Sequence, residues 1–186
     1  MSSSLVGSEM CIRDSGSNFI AAFAAFAVRD SELLLKNSSI SAALSLEAIR
    51  GEKKAFSEII HEKSNRHRGQ IEIAREMREL IAGSKRMTKE AQEHPFTQDK
   101  KGSERVQDRY SFRAVPQVHG TVYEAIEKLR SVVETEINST TDNPLFDFEN
   151  EGPEGELLFA SGANFHGQPL AVAIDYLKIA LTSLGL

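Results

Sequence analysis

Between Thr121 and Ile137 the residues Val122, Ala125, Ile126, Leu129, Val133 and Ile137 recur at intervals of three and four, which is the period of one face of an α-helix. A strand would scatter these side chains over both of its faces, so the stretch commits the chain to helix packed on helix. Gln168 to Leu184 carries Leu170, Val172, Ile174, Leu177, Ile179 and Leu181, a pattern apolar almost all round that belongs in the middle of a bundle or in a subunit interface. Gln70 to Ala82 is predicted as an amphipathic helix with Ile71, Ala74, Met77, Leu80 and Ile81 on one face and Gly83 as its stop.

Asn18 opens the apolar run NFIAAFAAFAV. It is read as the buried start of a helix that continues through Leu33, Leu34 and Leu35. The polar cluster Asn37-Ser38-Ser39 then predicts a break, with a second helix from Ile40 to Arg50 stopping at Gly51. Residues 51–68 are charged and irregular, and Ser84 to Arg105 is a polar stretch longer than a mere connection, of the kind that forms lids, binding loops or disordered spans. Asn138-Ser139-Thr140-Thr141-Asp142-Asn143-Pro144 is a dense turn signal. After it, Leu145 to Phe148 is predicted to pair with Glu156 to Phe159 as a short β-hairpin. The fold class expected is mainly α with that one hairpin. Residues 1–15 show no apolar period and are expected to be non-native or disordered, leaving 16–186 as the organised part.

Hydrophobic residues make up 40% of the 186, enough for a core. Twenty-seven acids against 22 bases give a net charge of −5, without the basic face a phosphate-backbone binder needs, so no nucleic-acid partner is expected. The single cysteine, Cys11, cannot close an internal disulfide or a paired-thiol metal site. The run from Asn18 to Val28 is too short to span a bilayer and lacks the positive start of a signal peptide. No membrane association is therefore expected, and the location expected is cytoplasmic. His61-Glu62 lacks the second histidine of a zinc-protease helix, since Asn65 stands there. The five histidines fall on separate predicted segments and are expected at the surface, with no metal site. Lys85-Arg86 and Lys100-Lys101 are read as solvated loop faces.

The stretch VQDRYSFRAVPQVHG, Val106 to Gly120, has neither helical nor strand period and concentrates Gln107, Asp108, Arg109, Tyr110, Arg113, Gln117 and His119. Two readings stay open for it. One is an exposed polar loop. The other is a site in which Arg113 holds a substrate carboxylate through a two-pronged hydrogen bond, Tyr110 supplies a phenol for proton transfer and Gln107 orients it. A second dense polar run, Ala160 to Gly167, has small residues that let a backbone come close to a ligand and Phe165 as a packing surface.

Three runs in order, Gln107-Asp108-Arg109-Tyr110-Ser111-Phe112-Arg113 with Pro116-Gln117-Val118, Asn138 to Leu145, and Ser161-Gly162-Ala163-Asn164-Phe165-His166-Gly167, resemble the aromatic amino acid lyase family, histidine ammonia-lyases in particular. Ser41 to Gly51 is similar to a helix of the same family's central bundle. The resemblance implies a fragment of the long-helix bundle of an ammonia-lyase, truncated at both ends, from a homotetramer whose active sites are shared between subunits. It implies non-oxidative elimination of ammonia from an aromatic amino acid, with L-histidine to urocanate favoured. Phenylalanine or tyrosine lyases and aminomutases are the alternatives, and a noncatalytic helical interaction subunit is a further one. The implied cofactor is a self-derived methylidene-imidazolone formed from an Ala-Ser-Gly run that is not Ala160-Ser161-Gly162, so the stretch as it stands is expected to be inactive. Carried over by motif, Arg113 binds the carboxylate, Tyr110 and Gln107 are catalytic, and Asn143 and Phe165 line the electrophile.

Overall fold

The computed structural model describes residues 16–64, 67–92 and 107–185. Its elements are α1 (Asn18–Ile49), a 3-10 turn (Lys53–Phe56), a π turn (Ile59–Lys63), α2 (Arg68–Leu80), α3 (Lys89–Gln92), α4 (Tyr110–Arg113), α5 (Val115–Ile137), β1 (Leu145–Glu151), β2 (Leu157–Ala160) and α6 (Gln168–Thr182). The described residues are mainly helical with one two-stranded antiparallel sheet. They form two compact units, one from residues 16–29 with 127–176 and one from 30–126 with 177–185.

The predicted break at Asn37-Ser38-Ser39 does not occur, because α1 runs unbroken for 32 residues. The hydroxyls that signalled a cap are satisfied within the helix or against a neighbour. Ser38 Oγ donates to Leu34 O at 2.9 Å, one turn back, and Ser39 turns inward, fully buried, to face His119. Without glycine or proline nearby, such back-bonding leaves the helix intact. The expected buried start of α1 is buried on one side only: Ala21, Ala24 and Val28 face inward while Phe19, Phe23 and Phe26 are 75%, 62% and 63% exposed. The end of α1 comes where expected, through two reversed hydrogen bonds, Gly51 N–H to Leu46 O at 2.8 Å and Arg50 N–H to Glu47 O at 3.3 Å. The left-handed residue of this cap is Arg50 (φ 57°), not glycine.

In the first unit Ser17 Oγ donates to the Glu136 carboxylate and Thr141 Oγ1 to Asn18 Oδ1 at 3.3 Å, which fastens the start of α1 to the end of α5 and the turn beyond it. The hairpin forms as predicted, with Leu145 opposite Ala160, Phe146 opposite Phe159 and Asp147 opposite Leu158, then a register shift before Glu151 pairs with Leu157. The core of the second unit includes Leu46, Phe56, Ile73, Ala74, Met77, Ile81, Val122 and Ile126. α2 buries Ile73, Ala74 and Met77 as its inward face, while Leu80, expected on that face, is 42% exposed. Gly69 at the start of α2 and Gly120 in α5 touch backbone to backbone, since a Cβ on Gly69 would lie 2.0 Å from Gly120 O. Gly69 N–H also donates to Glu124 Oε1 at 3.0 Å, which supplies an acceptor to the start of α2.

In the region read as irregular, the described residues 51–64 and 67–68 are organised around buried groups. Phe56 is fully buried and its carbonyl accepts Arg78 Nη1–H at 2.8 Å, and the Arg78 guanidinium also pairs with Glu62. The expectation of surface histidines fails at two positions. His61 is fully buried, with Nε2 2.7 Å from Ala55 O and Nδ1 2.9 Å from Gln70 Nε2. His119 is 8% exposed. His67 and His166 are exposed as expected, and His94 lies outside the described residues, as do Lys100-Lys101 and most of the long polar stretch. Lys85 and Arg86 are exposed, as a solvated face requires, and Arg86 also donates from Nε to Glu47 O at 2.8 Å and from Nη2 to Ala48 O at 3.4 Å. A cation there satisfies the open carbonyls at the C-terminus of α1 and matches its dipole.

Candidate active site

The stretch without periodicity folds largely as helix. α4 is a single turn begun by Phe112 N–H and Arg113 N–H donating to Arg109 O at 3.1 and 3.4 Å, and α5 follows directly after Ala114. Pro116 is the second residue of α5, where a missing N–H costs nothing because the first turn has no internal acceptor for it. Pro116-Gln117-Val118-His119-Gly120 therefore extend α5 by six residues ahead of the predicted start at Thr121 when Val115 is counted.

Two of the expected site residues share this turn, and a third, Gln107, lies three residues ahead of it. Gln107 and Tyr110 are exposed, Tyr110 at 76%, and Arg113 is half-buried. Tyr110 and Arg113, three apart, share one face of the turn, and the guanidinium carbon lies 5.9 Å from the ring centroid, within cation–π range. Arg113 Nε–H donates to Asp108 O at 2.9 Å. Of the guanidinium nitrogens, Nε is thus held by backbone and the Nη1/Nη2 edge is left as the pair of parallel donors that a carboxylate accepts. Asp108 itself is 3% exposed and its Oδ2 accepts Glu52 N–H at 2.6 Å. Nothing in the spacing of the sequence announced that bond, because its partners stand 56 residues apart.

The other two expected residues lie in the first unit. Asn143 precedes a cis Asn143–Pro144 bond, and its Oδ1 accepts Gly162 N–H at 2.7 Å. Asn164 Nδ2–H donates to Thr140 O at 3.4 Å, so the loops 138–144 and 161–167 are laced together with Phe165, 38% exposed, on the second of them. With Oδ1 engaged, the group Asn143 retains for a ligand is its Nδ2 amide, a donor suited to the carbonyl of an imidazolone ring, and the flat face of Phe165 suits the ring itself. These two residues fit the implied electrophile chemically. Ala160-Ser161-Gly162 does not fit as its source, because ring closure needs the Gly162 nitrogen to reach the Ala160 carbonyl carbon. That nitrogen instead bonds Asn143, and Ala160 is paired with Leu145 in the sheet.

A groove of about 430 Å³ opens beside α4, lined by polar and apolar side chains alike, among them Ser38, Ser41, Phe112, Val115, His119 and Leu184. His119 forms part of it with Nδ1 3.3 Å from Ser39 Oγ, and burial lowers the pKa of its imidazole. Among the described residues no helix is long and apolar enough to cross a membrane, and no group of three or more His, Cys, Asp or Glu side chains is placed to hold a metal ion.

A family model described as aromatic amino acid lyase matches residues 13–186. A probable histidine ammonia-lyase of Thermoplasma volcanium is 42% identical over 170 residues, which is 91% of this chain and 30% of that protein. Histidine ammonia-lyase 2 of Fusobacterium nucleatum is 44% identical over 161 residues, 87% of this chain and 28% of that protein. Among solved structures, tyrosine aminomutase from Streptomyces globisporus superposes with a TM-score of 0.79 at 35% identity, covering 92% of this chain and 33% of the other. The chain thus spans about 30% of the length of the curated relatives it matches.

Proposed function

This chain belongs to the aromatic amino acid lyase family, and from that premise we propose that it supplies substrate-binding and proton-handling loops to an enzyme that eliminates ammonia, without oxidation, from an aromatic amino acid. The observation that carries the proposal is the Tyr110–Arg113 pair on one exposed turn, with the guanidinium fixed at Nε and its outer edge available. Arg113 takes the substrate carboxylate by two parallel hydrogen bonds and so fixes the amino acid's Cα. Tyr110, whose phenol stands in solvent, moves a proton at its oxygen once substrate and neighbouring chains close over it. Gln107 orients that phenol. Asn143 donates from Nδ2 to the electrophile and Phe165 packs against it. The methylidene-imidazolone, formed from an Ala-Ser-Gly run elsewhere in the lyase, supplies the electrophilic carbon that turns an amine into a leaving group. No metal is called for. The assembly proposed is a cytoplasmic homotetramer with sites shared between subunits, in keeping with expected site residues that stand exposed on this chain.

L-histidine, giving urocanate, is the substrate proposed, supported by the histidine ammonia-lyases among its relatives. The aminomutase likeness favours a second reading in which the amino group is returned to the β-carbon. The test is to assay the native gene product that carries these residues on L-histidine, L-phenylalanine and L-tyrosine, following free ammonia, unsaturated acid and β-amino acid separately. Urocanate and ammonia in equal amounts are expected from histidine, with Tyr110→Phe slowing turnover by about a hundredfold or more, the scale of a lost general acid–base group. A β-amino acid product would replace the first reading by the second, and no turnover of any of the three would overturn both.

A further inference from the structure

We infer that Asp108 is a positioning residue for substrate binding, acting through Arg113; the inference rests on the reading that Arg113 holds the substrate carboxylate. Asp108 is almost fully buried at 3% exposure, an unusual place for an acid unless it has structural partners. Its two ends do different things. The carboxylate Oδ2 accepts Glu52 N–H at 2.6 Å, where the chain leaves the reversed cap of α1 and enters the 3-10 turn. The backbone carbonyl accepts Arg113 Nε–H at 2.9 Å. One residue therefore joins the end of a 32-residue helix to the guanidinium of a four-residue one.

A single turn such as α4 has too few internal hydrogen bonds to hold a conformation by itself. Its orientation must come from what it is tied to, and Asp108 ties it to Glu52 on one side and to the Arg113 guanidinium on the other. The approach is also shaped on the other side. Gly51 leaves room for the carboxylate, since a Cβ there would stand 3.1 Å from Oδ2 and 2.7 Å from Leu46 Cδ2. With Nε held by the Asp108 carbonyl, the guanidinium plane is set and only its Nη edge faces outward. Free rotation of Arg113 would otherwise be lost each time substrate bound. Removing the carboxylate of Asp108 releases the peptide that carries the acceptor for Nε, so the expected defect is in recognition of the substrate carboxylate more than in turnover.

The experiment has two arms. In the 186-residue chain, Asp108→Ala and Asp108→Asn are compared with the unaltered protein by far-UV circular dichroism and by exchange of the Arg113 Nε–H with solvent, read by NMR. Exchange should quicken at least tenfold in Asp108→Ala with helix content unchanged, and less in Asp108→Asn, whose amide oxygen can still accept Glu52 N–H. In the native gene product, kcat and KM are measured for whichever of L-histidine and L-phenylalanine is turned over, with inhibition by histamine or phenethylamine, which lack the carboxylate. Asp108→Ala should raise KM tenfold or more while kcat moves less than threefold and amine inhibition less than twofold. If Asp108→Ala loses its helix content, Asp108→Asn decides by the same readouts. Unchanged Arg113 exchange, or equal weakening of amino acid and amine, would overturn the inference. Arg113→Gln separates the two levels: if it raises KM and Asp108→Ala does not, only Asp108 is misassigned, whereas if Arg113→Gln leaves KM alone, the carboxylate reading of Arg113 falls and the inference with it.

Discussion

Arg50 holds the left-handed conformation, φ 57°, that closes the cap of α1, a position glycine usually fills because a Cβ there is crowded by the following carbonyl. Its guanidinium offsets part of that cost by donating from Nη1 to Ala91 O at 3.1 Å. Substituting alanine and glycine separates the two effects, since both delete the guanidinium and only alanine keeps the Cβ. Arg50→Ala should be the less stable by about 1 kcal/mol in urea unfolding, and equal midpoints would show that the backbone there is unstrained. His119 offers a second test. Burial lowers its pKa from 6.5, so between the folded value and 6.5 the unfolded chain binds a proton that the folded chain does not. Stability must then fall as pH falls through that window. Glu76 works in the opposite sense: burial outweighs the nearby Lys36 and raises its pKa from 4.5, so its contribution to stability falls as pH rises through its window. Replacing His119 with glutamine, which can still face Ser39, should shrink the loss of melting temperature between pH 7 and pH 5.5 relative to the unaltered chain. An unchanged difference would place the sensitivity elsewhere.

At the level of elements, the approach of α2 to α5 depends on Gly69 and Gly120. A Cβ on Gly120 would lie 2.4 Å from Gln70 N and 2.6 Å from Gln70 Cα, atoms that cannot move without moving α2. Gly120→Ala should therefore cost about 3 kcal/mol or more, at the upper end of overpacking effects, whereas Gly83→Ala should lose only the smaller conformational term of a left-handed glycine with nothing within 4 Å. Chemical denaturation of the two variants side by side checks the order. The same glycine shows why part of the fold was legible in the sequence and part was not. The helix through Thr121 to Ile137, the hairpin and α6 rest on local periodicity and turn residues, and those were readable. The helix was expected only from Thr121, yet Pro116 sits in its first turn and Gly120 serves a close crossing with a partner distant in sequence. Ser38 resembled a cap and is a back-bonded helix residue. Among the candidate site residues, Tyr110 and Arg113 were legible from their side-chain chemistry and the family motif, but their sharing one helical turn was not, because the stretch around them shows no helical period in the sequence. The tie from Asp108 to Glu52 was not, since no local rule links residues 56 apart.

For the whole molecule, the decisive surface is the apolar side of α1. Phe19, Phe23 and Phe26 follow one another at helical spacing, each more than 60% exposed, and Phe19 and Phe23 stack edge to face at 4.9 Å. A protein in water keeps a contiguous patch of three phenylalanines uncovered only at the cost of association or aggregation. Each ring that becomes covered gains roughly 2 kcal/mol of transfer free energy, so the three together contribute about 6 kcal/mol toward association, short of the roughly 8 kcal/mol of micromolar affinity, and further surface must be buried with them. Ala21, Ala24 and Val28 on the opposite side are already buried, so the phenylalanines can be changed without disturbing the interior of their unit. Phe19→Ser, Phe23→Ser and Phe26→Ser together should leave the helix content of the chain intact and shift it toward the monomer in sedimentation velocity, with loss of binding to a fluorescent apolar dye. Partial loss of helix would mean that the rings support α1 itself. Unchanged sedimentation with helix intact would mean that self-association, if present, uses another face, for which the exposed Val172 and Ile179 of α6 are the next positions to change.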